Sequence, residues 1–175
     1  LLQKYGTMEQ KEQFLPRLAT GKFIPCFGLT GPENGSDATG SIDEGQVVKD
    51  QTGQVCVEVK IDKRYITLAP VSNLIGLAVN VRDPYGILPN GQEGITLFLL
   101  ERDFPGLEQK TYHDPNGAGF PNGTLKGSLM IPISQTIGGP KNVGEGWKML
   151  MECLAVDRKS TRLNSSHTVI SYAVF

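Results

Sequence analysis

Residues 29–37 read LTGPENGSD and follow the apolar run FIPCFG directly. Gly31, Pro32, Asn34 and Gly35 are turn formers, each at ease with backbone angles that other residues resist, so the chain must reverse or bulge here. Turns of this kind expose backbone N–H groups. Several such groups, converging with the hydroxyls of Thr30 and Ser36, make a cradle for an anion such as a phosphate, and need neither metal nor lysine. The same stretch also reads as an ordinary tight loop. Little else in the chain offers chemistry. Cys26, Cys56 and Cys153 have no metal-ligand or CxxC spacing, and their odd number suggests free thiols in a reducing compartment, with the cytoplasm as the default. His113, in the loop TYHDPNGAGFPNG, is expected at the surface. Standing alone, it supports neither a metal site nor a triad.

The elements that must carry the turn are short strands. The 175 residues are 39% hydrophobic and 20% charged, enough for one core and too polar for a membrane span. The net charge of −1, with no basic run, argues against nucleic acid as a partner. Thr7 with Gln10 reads as a capping box opening a helix over TMEQKEQFL, to be ended by Pro16 or by Ala19-Thr20-Gly21. After Gly21 come runs rich in Val, Ile, Leu, Thr and Tyr: FIPCFGL, GQVVKD, QVCVEVK, RYITLA, NLIGLAVNV, GITLFLLE, GLEQKT and TLKGSLMIP. Asp50-Gln51-Thr52-Gly53 is a hairpin signal. Strands at this spacing predict an antiparallel sandwich or barrel. From Val143, VGEGWKMLMECLAV returns to a helical period, with Trp147, Leu150, Met151 and Leu154 on one stripe.

Both ends read as unnatural. The chain opens with LLQKYGT, which looks like the tail of a helix closed by Gly6, so further sequence is expected upstream. Residues 157–175, DRKSTRLNSSHTVISYAVF, resemble the translation of a common sequencing-library adapter and are expected to be a non-native tail. Arg158 lies within it.

Three separated segments, GTMEQKEQFLPRLATGKFIPCFGLTGPENGSD, KRYITLA and IGGPKNVGEGWKMLMECLAV, resemble the acyl-CoA dehydrogenases in order and spacing. The last two lean toward the large bacterial long-chain type of fatty-acid β-oxidation. The resemblance implies an α+β fragment. It would hold the end of an N-terminal helical domain (1–22), a middle, mainly antiparallel β-barrel or sandwich domain binding FAD and acyl-CoA (23–142), and the start of a C-terminal helical bundle (143–156).

The resemblance also implies site residues. Phe27, Leu29 and Thr30 would lie beside the isoalloxazine, and Gly35 and Ser36 near the pyrophosphate, with Ser36 also touching the acyl-CoA. Thr30, Pro32, Gly35, Ser36 and Asp37 match the family's T-E-P-G-A-G-S-D, while Gly31, Glu33 and Asn34 depart from it. In RYITLA, which matches a W-I-T motif, Tyr65 stands where a tryptophan packs on the flavin. Ile66 follows, and Thr67 would aim its hydroxyl at flavin N5; plain strand packing is the other reading of Tyr65 and Thr67. Asp37 is expected as a turn residue. No catalytic residue is assigned, because the family's glutamate base belongs beyond Val156, and no metal is expected.

The implied activity is oxidation of a fatty acyl-CoA to the trans-2-enoyl-CoA, with electrons passed to an electron-transfer flavoprotein. The complete protein is expected to be a homo-oligomer, cytoplasmic or at the inner membrane surface. A non-redox β-barrel binding module and a related flavoprotein acting on acyl-carrier substrates are the alternatives.

Overall fold

The computed structural model describes all residues except Ser36, Ser41, Asn90, Pro115, Asn116, Ala118 and 164–175; for Thr111, Tyr112 and 155–163 it describes the backbone alone. Two helices, α1 (Leu2–Tyr5) and α2 (Met8–Ala19), precede seven strands. These are β1 (Pro25–Gly28), β2 (Glu44–Lys49), β3 (Val55–Thr67), β4 (Leu74–Arg82), β5 (Gly94–Glu101), β6 (Glu108–His113) and β7 (Asn122–Pro132). Helix α3 (Gly146–Leu163) follows two short 3-10 turns. Its backbone continues past Val156, where the expected tail begins; the side chains of that tail and residues 164–175 lie outside the described residues.

The expected capping box is present, with Thr7 Oγ1 accepting from the Gln10 amide and Gln10 Oε1 accepting from the Thr7 amide. Helix α2 runs through Pro16 and closes at Thr20. The Asp50–Gly53 hairpin also forms: the Asp50 carboxylate accepts from the amides of Thr52 and Gln54, and Gly53 takes φ +84°.

The strands form one sheet in the order β1-β4-β2-β3-β7-β6, with β5 on the other side of β4. Four pairings are antiparallel, as expected; β1 and β2 each run parallel to β4. Strand β4 reads as an almost continuous apolar run because both its faces are covered. Ile75, Leu77, Val79 and Val81 point one way, into a core shared with Val57, Val59 and Ile61 of β3 and Leu125, Leu129 and Ile131 of β7. Leu74 and Ala78 point the other way, with Leu97 and Leu99 of β5, against Phe14 of α2 and Met149 and Leu150 of α3. The expected stripe on α3 is therefore corrected: Trp147 and Leu150 pack inward together with Met149, whereas Met151 and Leu154 are exposed. The helix rests mainly on β5, with Lys4 and Tyr5 of α1 donating to the Glu152 carboxylate at its side, so the apolar face it buries is narrow.

QVCVEVK and RYITLA are one strand, not two. Strand β3 carries an irregularity between Lys63 and Ile66: Lys63 stands opposite Leu125 and Ile66 opposite Gly123, so β3 spends three steps where β7 spends two. That is a β-bulge. Val57, Val59, Ile61 and Lys63 alternate inward, and strict alternation would bring Tyr65 and Thr67 inward as well. The extra residue flips the facing, so Ile66 is buried while Tyr65 and Thr67 are exposed.

Candidate functional site

Tyr65 sits in the bulge at φ +59° and Leu68 just beyond it at φ +66°. Non-glycine residues are uncommon in that region, and such strain gathers where the surroundings hold a residue for a purpose. Tyr65 is 60% exposed, which removes the reading of plain core packing. Its ring lies against the His113 ring, with centroids 5.1 Å apart at 40°. His113 is thus half-buried rather than a surface residue. On the next strand Asn122 stands opposite both His113 and Thr67. His113 Nε2 and Asn122 Oδ1 are buried with no hydrogen-bond partner among the described residues.

Thr67 and Phe27 line one apolar cleft of about 520 Å³, together with Leu68, Leu74, Gly76 and Leu18. Strand β1 brings Phe27 there by pairing it with Gly76 of β4. A Cβ at Gly76 would come within 2.8 Å of the Phe27 ring, so glycine lets that ring lie flat on the strand. Ile66 does not reach this cleft with its side chain, which is in the core; among the expected site residues it offers backbone only. The reason is the alternation of a strand, which turns Ile66 away whenever its neighbours face out.

The turn after β1 is tied to β3. The amide of Arg64 donates to the Thr30 carbonyl at 3.0 Å, and Lys63 Nζ donates to the Leu29 carbonyl at 3.2 Å. Leu29 and Thr30 are half-buried, and Gly35 is exposed with open space on its Cβ side. Asp37 is a turn residue as expected, its carboxylate accepting from the Thr39 amide and hydroxyl. Ser36 lies outside the described residues. One feature of the expected cradle is corrected: the Gly31 amide is not open to an anion, because it donates to Asn34 Oδ1 inside the turn. Asn34 is 3% exposed, so its side chain folds inward and takes up that donor.

Lys63 is the largest surprise. It is fully buried, with Nζ 2.9 Å from Asp43 Oδ2. Burial pushes its pKa down, and Asp43 pulls it back up. Its place could have been found: Val57, Val59, Ile61 and Lys63 fall on one period-2 series, which puts a lysine into a core slot.

No protein-family model matches the chain. Over 91 residues it is 41% identical to Protein HemX of Proteus mirabilis, covering 51% of this chain and 54% of that protein. It is 28% identical over 153 residues to the acryloyl-CoA reductase (NADH) of Anaerotignum propionicum, covering 86% of this chain and 36% of the relative. An acyl-CoA dehydrogenase of Emericella nidulans is 29% identical over 150 residues, covering 85% and 32%. The chain thus spans about half the length of the first of these curated relatives and about a third of the others.

Among solved structures, butyryl-CoA dehydrogenase from Megasphaera elsdenii superposes with TM-score 0.69 at 27% identity, covering 86% of this chain and 37% of that one. A glutaryl-CoA dehydrogenase from Mycobacterium smegmatis, in complex with FADH2, gives 0.63 at 27% identity, covering 77% and 32%. An acyl-CoA dehydrogenase from Bacillus anthracis, complexed with FAD, shares the fold at TM-score 0.68 and 23% identity, covering 84% and 23%. One of these relatives and all three solved structures are acyl-CoA-type dehydrogenases, two of the structures with bound FAD or FADH2, and the fold of this chain is theirs.

Proposed function

We propose that this chain is the FAD-binding β portion of an acyl-CoA dehydrogenase that oxidises fatty acyl-CoA to the trans-2-enoyl-CoA in fatty-acid β-oxidation. The observation that carries the reading is the meeting of Phe27 and Thr67 on one apolar cleft, beside a bulge that turns Tyr65 outward against its own backbone preference. A flat heterocycle fits that surface: an aromatic and a leucine face for the ring, a hydroxyl at its edge, and a volume in the range of cofactor sites. Phe27 and Thr67 would hold the ring from this cleft, Leu29, Thr30 and Tyr65, which lie outside its lining, from the adjoining turn and bulge, and Gly35 and Ser36 would take the pyrophosphate. When bound, FAD supplies hydride-accepting chemistry. The chain's own part is to exclude water from the apolar face and to set the Thr67 hydroxyl as a fixed donor. The base that removes the α-proton is assigned to no residue here.

An acyl-carrier substrate is the second reading, favoured by likeness to a prolyl acyl carrier protein oxidase at TM-score 0.68 and 26% identity. The test is to purify the whole protein and mix it with a fatty acyl-CoA or with the same acyl group on a carrier protein. Yellow protein bleached by the acyl-CoA supports the first reading, and bleaching by the carrier thioester alone supports the second. Colourless protein that takes up no FAD overturns both.

A further inference from the structure

Lys63 occupies a core position, one step beyond Val57, Val59 and Ile61 on the inward face of β3, and none of its side chain is exposed. An ammonium there is a poor choice for stability alone, since an apolar side chain of similar volume usually serves a core as well or better. What a methionine cannot do is donate hydrogen bonds. Lys63 Nζ has two acceptors, Asp43 Oδ2 at 2.9 Å and the Leu29 carbonyl at 3.2 Å. The Leu29 carbonyl also accepts from Asn34 Nδ2 at 3.3 Å, which fills both its lone pairs. The next carbonyl along, that of Thr30, takes the Arg64 amide. Asn34 closes the turn from inside through the Gly31 amide, and a Cβ at Gly31 would stand 2.7 Å from Asn34 Oδ1. Gly31 and Asn34 therefore form a matched pair at two of the positions where this chain departs from the family pattern.

We infer that Lys63 and Asn34 are positioning residues that clamp the Leu29 carbonyl and so hold Thr30 at a fixed place beside the end of β3. This rests on the reading of Thr30 and Thr67 as parts of one cofactor site. Asp43 is the counter-charge that lets the ammonium remain in the core. Leu29 packs against the helix-side core, but past it the turn is located by directed donors, since Gly31 and Gly35 have no side chain to pack and Pro32 and Glu33 are exposed.

The test uses Lys63→Met combined with Asp43→Asn, which removes both charges at nearly constant volume, and Asn34→Ala as an independent variant. Amide hydrogen exchange on the 175-residue chain should quicken at Arg64 and Gly31 by at least about tenfold relative to Leu77, the loss of one charge-assisted bond being worth that much. In the whole protein the FAD dissociation constant should rise by a similar factor while unfolding stays cooperative. Asn34→Ala carries the same expectation at Gly31, and decides the matter if the double variant does not fold. It should also make Gly31→Ala cheaper than it is in the wild type. Unchanged exchange at Gly31 and Arg64 in a folded variant overturns the clamp, as does loosened exchange with unchanged FAD affinity. A wild type that binds no FAD sinks the flavin reading instead, and the exchange data then decide the clamp on their own.

Discussion

The Arg64 amide donates to the Thr30 carbonyl at 3.0 Å, and this one bond joins the two segments that hold the candidate site. Thr30 lies on the turn after β1, and Arg64 lies in the bulge whose extra residue turns Thr67 outward. The bulge thus does two things at once: it frees an amide to hold the turn, and it re-aims a threonine that strict alternation would bury.

The strain at Tyr65 can be measured. A glycine at φ +59° relieves a cost of roughly 1–3 kcal/mol, while it gives up the ring contact with His113 and pays some unfolded-state entropy. Tyr65→Gly is therefore expected to unfold in urea within about 1 kcal/mol of wild type. Tyr65→Val puts a β-branched side chain where it fits worst and should be clearly less stable than the glycine variant. The reverse order would mean that packing, not backbone conformation, governs this residue.

Lys63 should leave a mark on the pH dependence of stability. Its pKa is pushed below the ordinary 10.5 by burial, against the pull of Asp43. Below the lowered value folded and unfolded chains are both protonated, and the cost of the buried charge is carried in full. Between that value and 10.5 the unfolded chain holds the proton and the folded chain does not, so stability rises with pH. Relative to Lys63→Met, the wild type should gain through this alkaline window with a slope of up to about 1.4 kcal/mol per pH unit. Urea unfolding of both proteins at several alkaline pH values checks it; a flat difference would show that burial does not depress this group.

The three cysteines separate by environment. Burial pushes the thiols of Cys26 and Cys56 up, with the Ser72 hydroxyl partly opposing it at Cys26 and the Asp50 charge adding to it at Cys56. Cys153 on α3 is partly exposed. At mildly alkaline pH one thiol per folded chain should react quickly with a disulfide reagent and the other two only on unfolding, since the thiolate is the nucleophile. Three fast thiols would contradict the packing of β1 and β3.

Much of this was legible in the sequence and the remainder was hidden for physical reasons. The capping box at Thr7 and the hairpin at Asp50 are local, so their residues announce them. The turn at 29–37 was legible as a turn, but its internal closure by Asn34 depends on one side-chain rotamer. The bulge was invisible because it exists only against β7: nothing in KRYIT says that the partner strand takes fewer steps. Lys63 lay in plain view of the period-2 pattern, yet a lysine between Asp62 and Arg64 reads as part of an outward charged run until Asp43 is known to be near.

Thr67 separates chemistry from binding. Its side chain is exposed on the cleft that Phe27 also lines, opposite Asn122, and valine would keep both the strand and the shape. If the hydroxyl is a donor to the edge of the flavin where hydride arrives, it matters most as negative charge develops there, so its loss should slow reduction more than it loosens FAD. Thr67→Val in the whole protein is expected to stay yellow and to bleach with acyl-CoA about ten to a thousandfold more slowly, while Thr67→Ser, which keeps the hydroxyl, stays near the wild-type rate. Rapid-mixing absorbance of the flavin reads both. Bleaching of the valine variant at the wild-type rate, with full FAD occupancy, would make Thr67 a strand residue that happens to face the cleft.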